Sequence, residues 1–217
     1  MIDIVIATGN RHKFRELKTL LTVRGIRWHS LAEFPHVRSI EERARTFDAN
    51  AIAKARAVAR ATGHLALADD SGLEVDALGG APGIRSARFA GVHGNDETNN
   101  QKLLRALDGL PSARRRAAYR CSLVLVSPSR LLALTRGAWT GRIAVQPVGR
   151  GGFGYDPIFL VPAYGKTVGQ LSARLKQQLS HRAQASRRMR VMLQRMVTGA
   201  QRRAGYGAGP RGQGSAA

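Results

Sequence analysis

Three features of this 217-residue chain predict an α/β fold in a single domain. Apolar runs of strand length alternate with longer segments of helical periodicity. No internal repeat divides the chain. An apolar content of 43% against 23% charged residues is that of a soluble globular domain with one core. The domain is expected over residues 1–198. Residues 199–217, AQRRAGYGAGPRGQGSAA after a leading glycine, carry too few apolar side chains to pack and are expected to form a disordered, basic, glycine-rich tail.

The opening residues 2–7 read as a buried strand that breaks at Thr8-Gly9-Asn10, and residues 13–24 have helical periodicity through Phe14, Leu17, Leu20 and Leu21. A strand, tight turn and helix in this order aim backbone N–H groups at whatever lies over the turn, and such helix starts attract phosphate. Asn10 can cap the helix and Lys13 can reach an anion, although a plain cap beside a surface lysine has the same sequence. A second strand is expected at 26–31. A helix follows at 47–62, with Thr46 as N-cap and Gly63 as stop, and Lys54 shares the face of Asn50. A third helix is expected at about 96–107, paired strands at 119–127 and 131–139, a glycine-rich loop at 149–154, and a short strand at 158–161. Two final helices follow, capped by Ser172 and Ser180, the last over about 181–197.

Between the second and third helices, the apolar run Leu65-Ala66-Leu67-Ala68 meets two adjacent carboxylates, Asp69 and Asp70, then Ser71 and Gly72. Neighbouring carboxylates at a strand end repel unless a cation or a proton lies between them. The segment therefore reads as a site for a hard divalent metal or a general base, or as an ordinary solvated turn.

Composition limits the other possibilities. No apolar run approaches the ~20 residues of a membrane span. The strand-like start lacks the basic region of a signal peptide, and the single cysteine, Cys121, sits in an apolar run, so a cytoplasmic setting is expected. The formal net charge of +21 favours weak, nonspecific polyanion binding. Only six of the 35 basic residues are lysines, the arginines are scattered, and no aromatics interleave with them as a base-stacking surface would require. A basic nucleic-acid-binding protein without hydrolase activity is the alternative reading.

Five pieces occur in a fixed order: Thr8-Gly9-Asn10 with Lys13; Glu42; Asp69-Asp70-Ser71-Gly72; Phe153-Gly154-Tyr155-Asp156-Pro157; and Lys176 with Ser180-His181-Arg182. Together they resemble the inosine triphosphate pyrophosphatase family, the HAM1-like enzymes, over residues 1 to about 196. The resemblance implies an elongated α/β fold whose central mixed β-sheet carries two lobes flanking a nucleotide cleft, usually as a homodimer. It implies Mg²⁺-dependent hydrolysis of dITP, ITP and XTP to the monophosphate and pyrophosphate. By the same resemblance Asp70 is the catalytic carboxylate and lies beside the metal, with Asp69 in support. Glu42, or Glu41 if the register slips by one, is the second metal ligand. Thr8, Gly9, Asn10 and Lys13 would hold phosphates, Lys54 and Lys176 would add positive charge, and Ser71 would touch the substrate. Phe153, Gly154, Tyr155, Asp156, His181 and Arg182 would form the purine pocket, with Phe153 and Tyr155 stacking on the base. Magnesium suits this donor set because it accepts one or two carboxylates and keeps its waters; no Cys–His cluster at ligand spacing supports zinc. Two departures from the family pattern are Ala49, where a glutamate is frequent, and Ala173-Arg174-Leu175, where the segment is often acidic.

Overall fold

The computed structural model describes residues 1–37, 44–91 and 94–206. Glu41 and Glu42 lie outside the described residues. The chain forms a seven-stranded mixed sheet in the order β2-β1-β3-β4-β5-β6-β7. β1 (Ile2–Ile6) runs parallel to β2 (Ile26–Ser30) and to β3 (Leu65–Val75). From β3 onward every pairing is antiparallel, through β4 (Arg116–Val126), β5 (Leu131–Ile143), β6 (Phe159–Val161) and β7 (Lys166–Thr167).

The strand alternation of side chains divides the core. Leu67, Leu123 and Leu125 face α1 (Arg11–Leu20) and α5 (His181–Tyr206), which contribute Leu17, Leu21, Ala185, Met189 and Leu193. Ala66, Ala68, Val124 and Val126 face α2 (Phe47–Thr62) through Ala51, Ala55 and Val58. A third cluster lies at the far end of the long strands. There Leu73, Tyr119, Trp139 and Phe159 pack with Leu103 of α3 (Asp96–Ala106). The helix α4 (Ala173–Leu179), capped by Ser172, leads into α5.

α2 has the predicted bounds, with Thr46 Oγ accepting from the Ala49 N–H at 3.2 Å and Gly63 left-handed at φ 72°. A glutamate at position 49 would complete a capping box here, so Ala49 leaves this helix start with the Thr46 half alone. Several boundaries differ from the expectation: α1 ends at Leu20 rather than 24, β4 starts at Arg116 rather than 119, and β5 runs to Ile143 rather than 139. α1 begins two residues earlier because Asn10 caps it. α5 continues to Tyr206, so the tail boundary read at 199 falls inside this helix.

The largest difference is β3. Instead of ending at Ala68 it runs on to Val75, placing Asp69 and Asp70 in mid-strand opposite Leu123 and Ser122. Hydrogen bonds hold Asp69 through its Oδ2 and Asp70 through both oxygens, so neither has to leave the sheet. Two close approaches require glycine. A Cβ on Gly72 would lie 2.4 Å from the Gly83 carbonyl oxygen. One on Gly137 would lie 2.0 Å from the His181 carbonyl oxygen, so only glycine lets the first turn of α5 settle onto β5.

At the β2 edge, His29 Nε2 lies 2.8 Å from Asp3 and Nδ1 lies 3.0 Å from Glu33, with His64 stacked on its ring at 5.8 Å. Hydrogen bonds that its ring donates to Asp3 and then to Glu33 raise its pKa above the ordinary histidine value. A raised histidine adds stability that is complete below about pH 6.5 and is lost as pH rises through the native pKa. The melting temperature of the wild type should therefore exceed that of His29→Gln by more at pH 6 than at pH 9. A difference that does not change with pH would refute the charged assignment.

Candidate active site

Three segments converge where Ser71 and Leu73 pass from the first half of the sheet to the second. They are the start of α1, the loop at 152–156 and the start of α5, and they enclose a cleft with a cavity volume of about 440 Å³. Asn10, Lys13, Ser71, Phe153, Gly154, Tyr155, Asp156, Lys176, His181 and Arg182, all expected site residues, line it. Thr8 and Gly9 form the bend before α1, and neither they nor Lys54, Asp69 and Asp70 line the cavity. Thr8 Oγ accepts from the Asn10 N–H at 3.2 Å. Asn10 Oδ1 accepts from the N–H groups of His12 at 2.9 Å and Lys13 at 3.1 Å.

The adjacent aspartates point to opposite faces, so no shared cation is needed to relieve their repulsion. This corrects the strand-end reading. Asp69 faces α1 and α5 and is fully buried. Its Oδ2 lies 3.3 Å from Lys13 Nζ, accepts from Arg182 Nη2 at 3.2 Å, and accepts from Ser71 Oγ at 3.2 Å. Burial by itself would raise the Asp69 carboxyl. Lys13 and Arg182, with Lys54 on α2, outweigh it and hold the group well below the usual carboxylate range. Asp70 faces α2. Its Oδ2 accepts from Asn50 Nδ2 at 3.0 Å and its Oδ1 from the Ser71 N–H at 2.9 Å.

Arg182 is placed differently from the base-reading role expected of it. Its guanidinium is fully buried and donates to Asp69, to Ser71 Oγ at 2.8 Å and to Glu16 at 2.6 Å, so it braces the cleft floor. Lys176, expected to add positive charge, lines the same cleft. Its ammonium pairs with Asp156 and lies 4.3 Å from the Phe153 ring centroid. Asp156 is buried and accepts from the Phe153 N–H at 2.9 Å and from Tyr119 Oη at 3.2 Å, so it ties the loop instead of facing outward. Burial raises its carboxyl despite Lys176. Tyr155 belongs to the core, its hydroxyl donating to the Ser86 carbonyl at 2.8 Å, which leaves Phe153 as the half-exposed ring of the pair. Gly154 is fixed by α3, its N–H donating to Asp96 at 2.6 Å and its carbonyl accepting from Asn100 at 3.1 Å.

His181 stacks on Tyr119 at 4.7 Å, and its Nδ1 is buried without a hydrogen-bond partner. Burial, then the nearby Arg182 and Lys176, pushes its pKa well below the ordinary value, so it presents a neutral imidazole. Ser180 Oγ caps the helix by accepting from the Ala183 N–H at 3.1 Å.

Glu16 and Tyr119 are parts of the site that sequence reasoning missed. A glutamate three residues after Lys13 on the same helix was the available signal for the first. Nothing local marked the second.

The Ham1 family profile matches residues 4–192. This chain belongs to the Ham1 family. It is 45% identical over 199 residues to a dITP/XTP pyrophosphatase of Geobacillus kaustophilus, covering 92% of this chain and 98% of the relative. It is 50% identical over 193 residues to a dITP/XTP pyrophosphatase of Yersinia pseudotuberculosis, covering 87% and 96%. The solved HAM1 protein of Coxiella burnetii superposes with a TM-score of 0.83 at 40% identity, over 90% of this chain and 100% of that one. The Ham1 protein of Staphylococcus aureus gives a TM-score of 0.81, also at 40% identity, over 89% and 99%. The family resemblance read from the motifs and the mixed α/β sheet are both borne out.

Proposed function

We propose that this Ham1 protein hydrolyses dITP, ITP and XTP to the nucleoside monophosphate and pyrophosphate, which keeps these nucleotides out of DNA and RNA. The observation that carries the reading is the cleft itself. It joins a lysine at the start of α1, a half-exposed aromatic ring and a neutral buried histidine, and its Ser71 follows two buried aspartates in the strand. The names of the relatives in Geobacillus and Yersinia support the same substrate class.

Asp70 is assigned as the base that takes a proton from the attacking water. Asp69, neutralised by Lys13 and Arg182, positions those two cations. The donor chemistry fits a magnesium ion: the carboxylates of Asp70 and Glu42, or Glu41, would hold it. Among the described residues no cluster of three His, Cys, Asp or Glu side chains is present. When bound, the ion screens the charge of the triphosphate. At the other end of the cleft, Phe153 offers a ring face to the purine. The first turn of α5 offers backbone N–H groups, which a helix start leaves without intrahelical partners. A 6-oxo purine satisfies such a donor, whereas the amine of adenine leaves it unmet.

Each unmet donor costs roughly 1–3 kcal/mol, so dITP and XTP are expected to exceed dATP by roughly 10–100-fold in kcat/KM. Pyrophosphate release with Mg²⁺ across dITP, XTP, dGTP and dATP tests this. Equal rates on all four would overturn the assigned specificity. The setting is proposed as cytoplasmic, where the substrate pool lies and where burial pushes the Cys121 thiol up to about 12, an inert group. A homodimer is proposed on the family resemblance alone, and sedimentation velocity would read it directly. α5 contains no acidic residue and carries exposed Arg187, Arg188, Arg190 and Arg195, which supports weak polyanion binding as a physical property.

A further inference from the structure

We infer that Asn50 is a positioning residue whose side-chain amide holds Asp70 as an oriented carboxylate during hydrolysis; the inference rests on Asp70 being the base. Asn50 lies in the first turns of α2 and is 1% exposed, among core alanines where an apolar side chain would pack without polar cost. Both ends of its amide are used. The Oδ1 atom accepts from the Ala44 N–H at 2.9 Å, and Nδ2 donates to Asp70 Oδ2 at 3.0 Å. The first bond sets the direction of the second. A flipped amide would place NH₂ against the Ala44 N–H and an oxygen against the carboxylate, losing both bonds. Asn50 therefore presents only a donor to Asp70.

The Asn50 donor holds Oδ2 in one direction, because a hydrogen bond weakens steeply as its angle bends. The Ser71 N–H directs Oδ1 in the same way at 2.9 Å, so each carboxylate oxygen has a directed hydrogen bond. The helix carrying Asn50 is anchored to the neighbouring strands. Asp48 accepts from Ser122, the cross-strand neighbour of Asp70, and pairs with Arg136 of β5. α2 thus holds Asp70 through a fixed lever rather than through packing alone.

The test is steady-state kinetics on dITP with wild type, Asn50→Asp and Asn50→Leu, each checked for cooperative melting. Asn50→Asp keeps an acceptor for Ala44 and turns the donor into a second carboxylate against Asp70. Asn50→Leu keeps the bulk and removes both bonds. Loss of an orienting partner is expected to lower kcat roughly 10–100-fold. KM and the Kd of a non-hydrolysable α,β-imido dITP analogue should stay within about twofold, because the chemical step loses its base geometry while binding is kept. A kcat within about twofold of wild type in the folded variants, or a loss carried by KM and Kd, would overturn the inference. Should one variant fail to fold, the other carries the comparison. An inactive wild type would overturn the proposed function and this inference together, whereas active wild type with unaffected variants would overturn this inference alone.

Discussion

Asp70→Asn is expected to lower kcat for dITP or XTP by roughly 10²–10⁴-fold, the range that a positioned general base contributes, while the protein still melts cooperatively. The fold should tolerate the change because asparagine has nearly the same shape. It also keeps an oxygen for one of the two N–H groups, of Asn50 or Ser71, that now bind separate carboxylate oxygens. The proton acceptor is lost, because an amide nitrogen cannot accept. Asp69→Asn distinguishes the two aspartates. Asp69 is fully buried and bound to Lys13 and Arg182, so its replacement should first lower stability and disturb the cleft. If Asp70→Asn kept full activity and Asp69→Asn lost it with the fold intact, the roles would be reversed. Circular dichroism melts beside pyrophosphate release would decide.

The elements with local signals were legible in the sequence. Thr46 and Gly63 bracket α2, Asn10 caps α1, and Ser180 caps α5, because caps act over two or three residues. Many members of the site were legible too, since ten of the expected residues, from Asn10 to Arg182, line one cleft. Their partners were not. Arg182 meets Glu16 across 166 positions and Asp69 across 113. Such contacts depend on α1 and α5 packing on the same face of β3, which local periodicity cannot report. The same limit explains the early end assigned to β3. Adjacent aspartates read locally as a turn, and only the register with Leu123 and Ser122 shows them inside a ladder. Tyr155 and Asp156 looked like recognition groups for the same reason: their buried partners Ser86, Tyr119 and Lys176 come from distant segments.

Arg182→Met is expected to destabilise the protein by about 3–5 kcal/mol, or roughly 6–20 °C in melting temperature for a chain of this size, and to disable the cleft. The guanidinium is fully buried and serves two carboxylates and a hydroxyl at once. Removing it leaves Glu16 without that partner and Asp69 with Lys13 as its remaining ion pair, which is the costly way to break a buried network. A double-mutant cycle separates this from lost packing. Glu16→Gln with Arg182→Met should be less destabilised than the sum of the single variants, because the second change removes a charge that the first has stranded. The pH dependence has a definite sign. Asp69 is held below its ordinary value, so its stabilising contribution is present above about pH 4 and is lost as pH falls through the native pKa. Without Arg182 that lowering weakens. The stability gap between wild type and Arg182→Met should therefore be widest near neutrality and narrow in acid, and a gap that stays constant from pH 7 to pH 3 would place the cost in packing rather than in the Asp69–Arg182–Glu16 network.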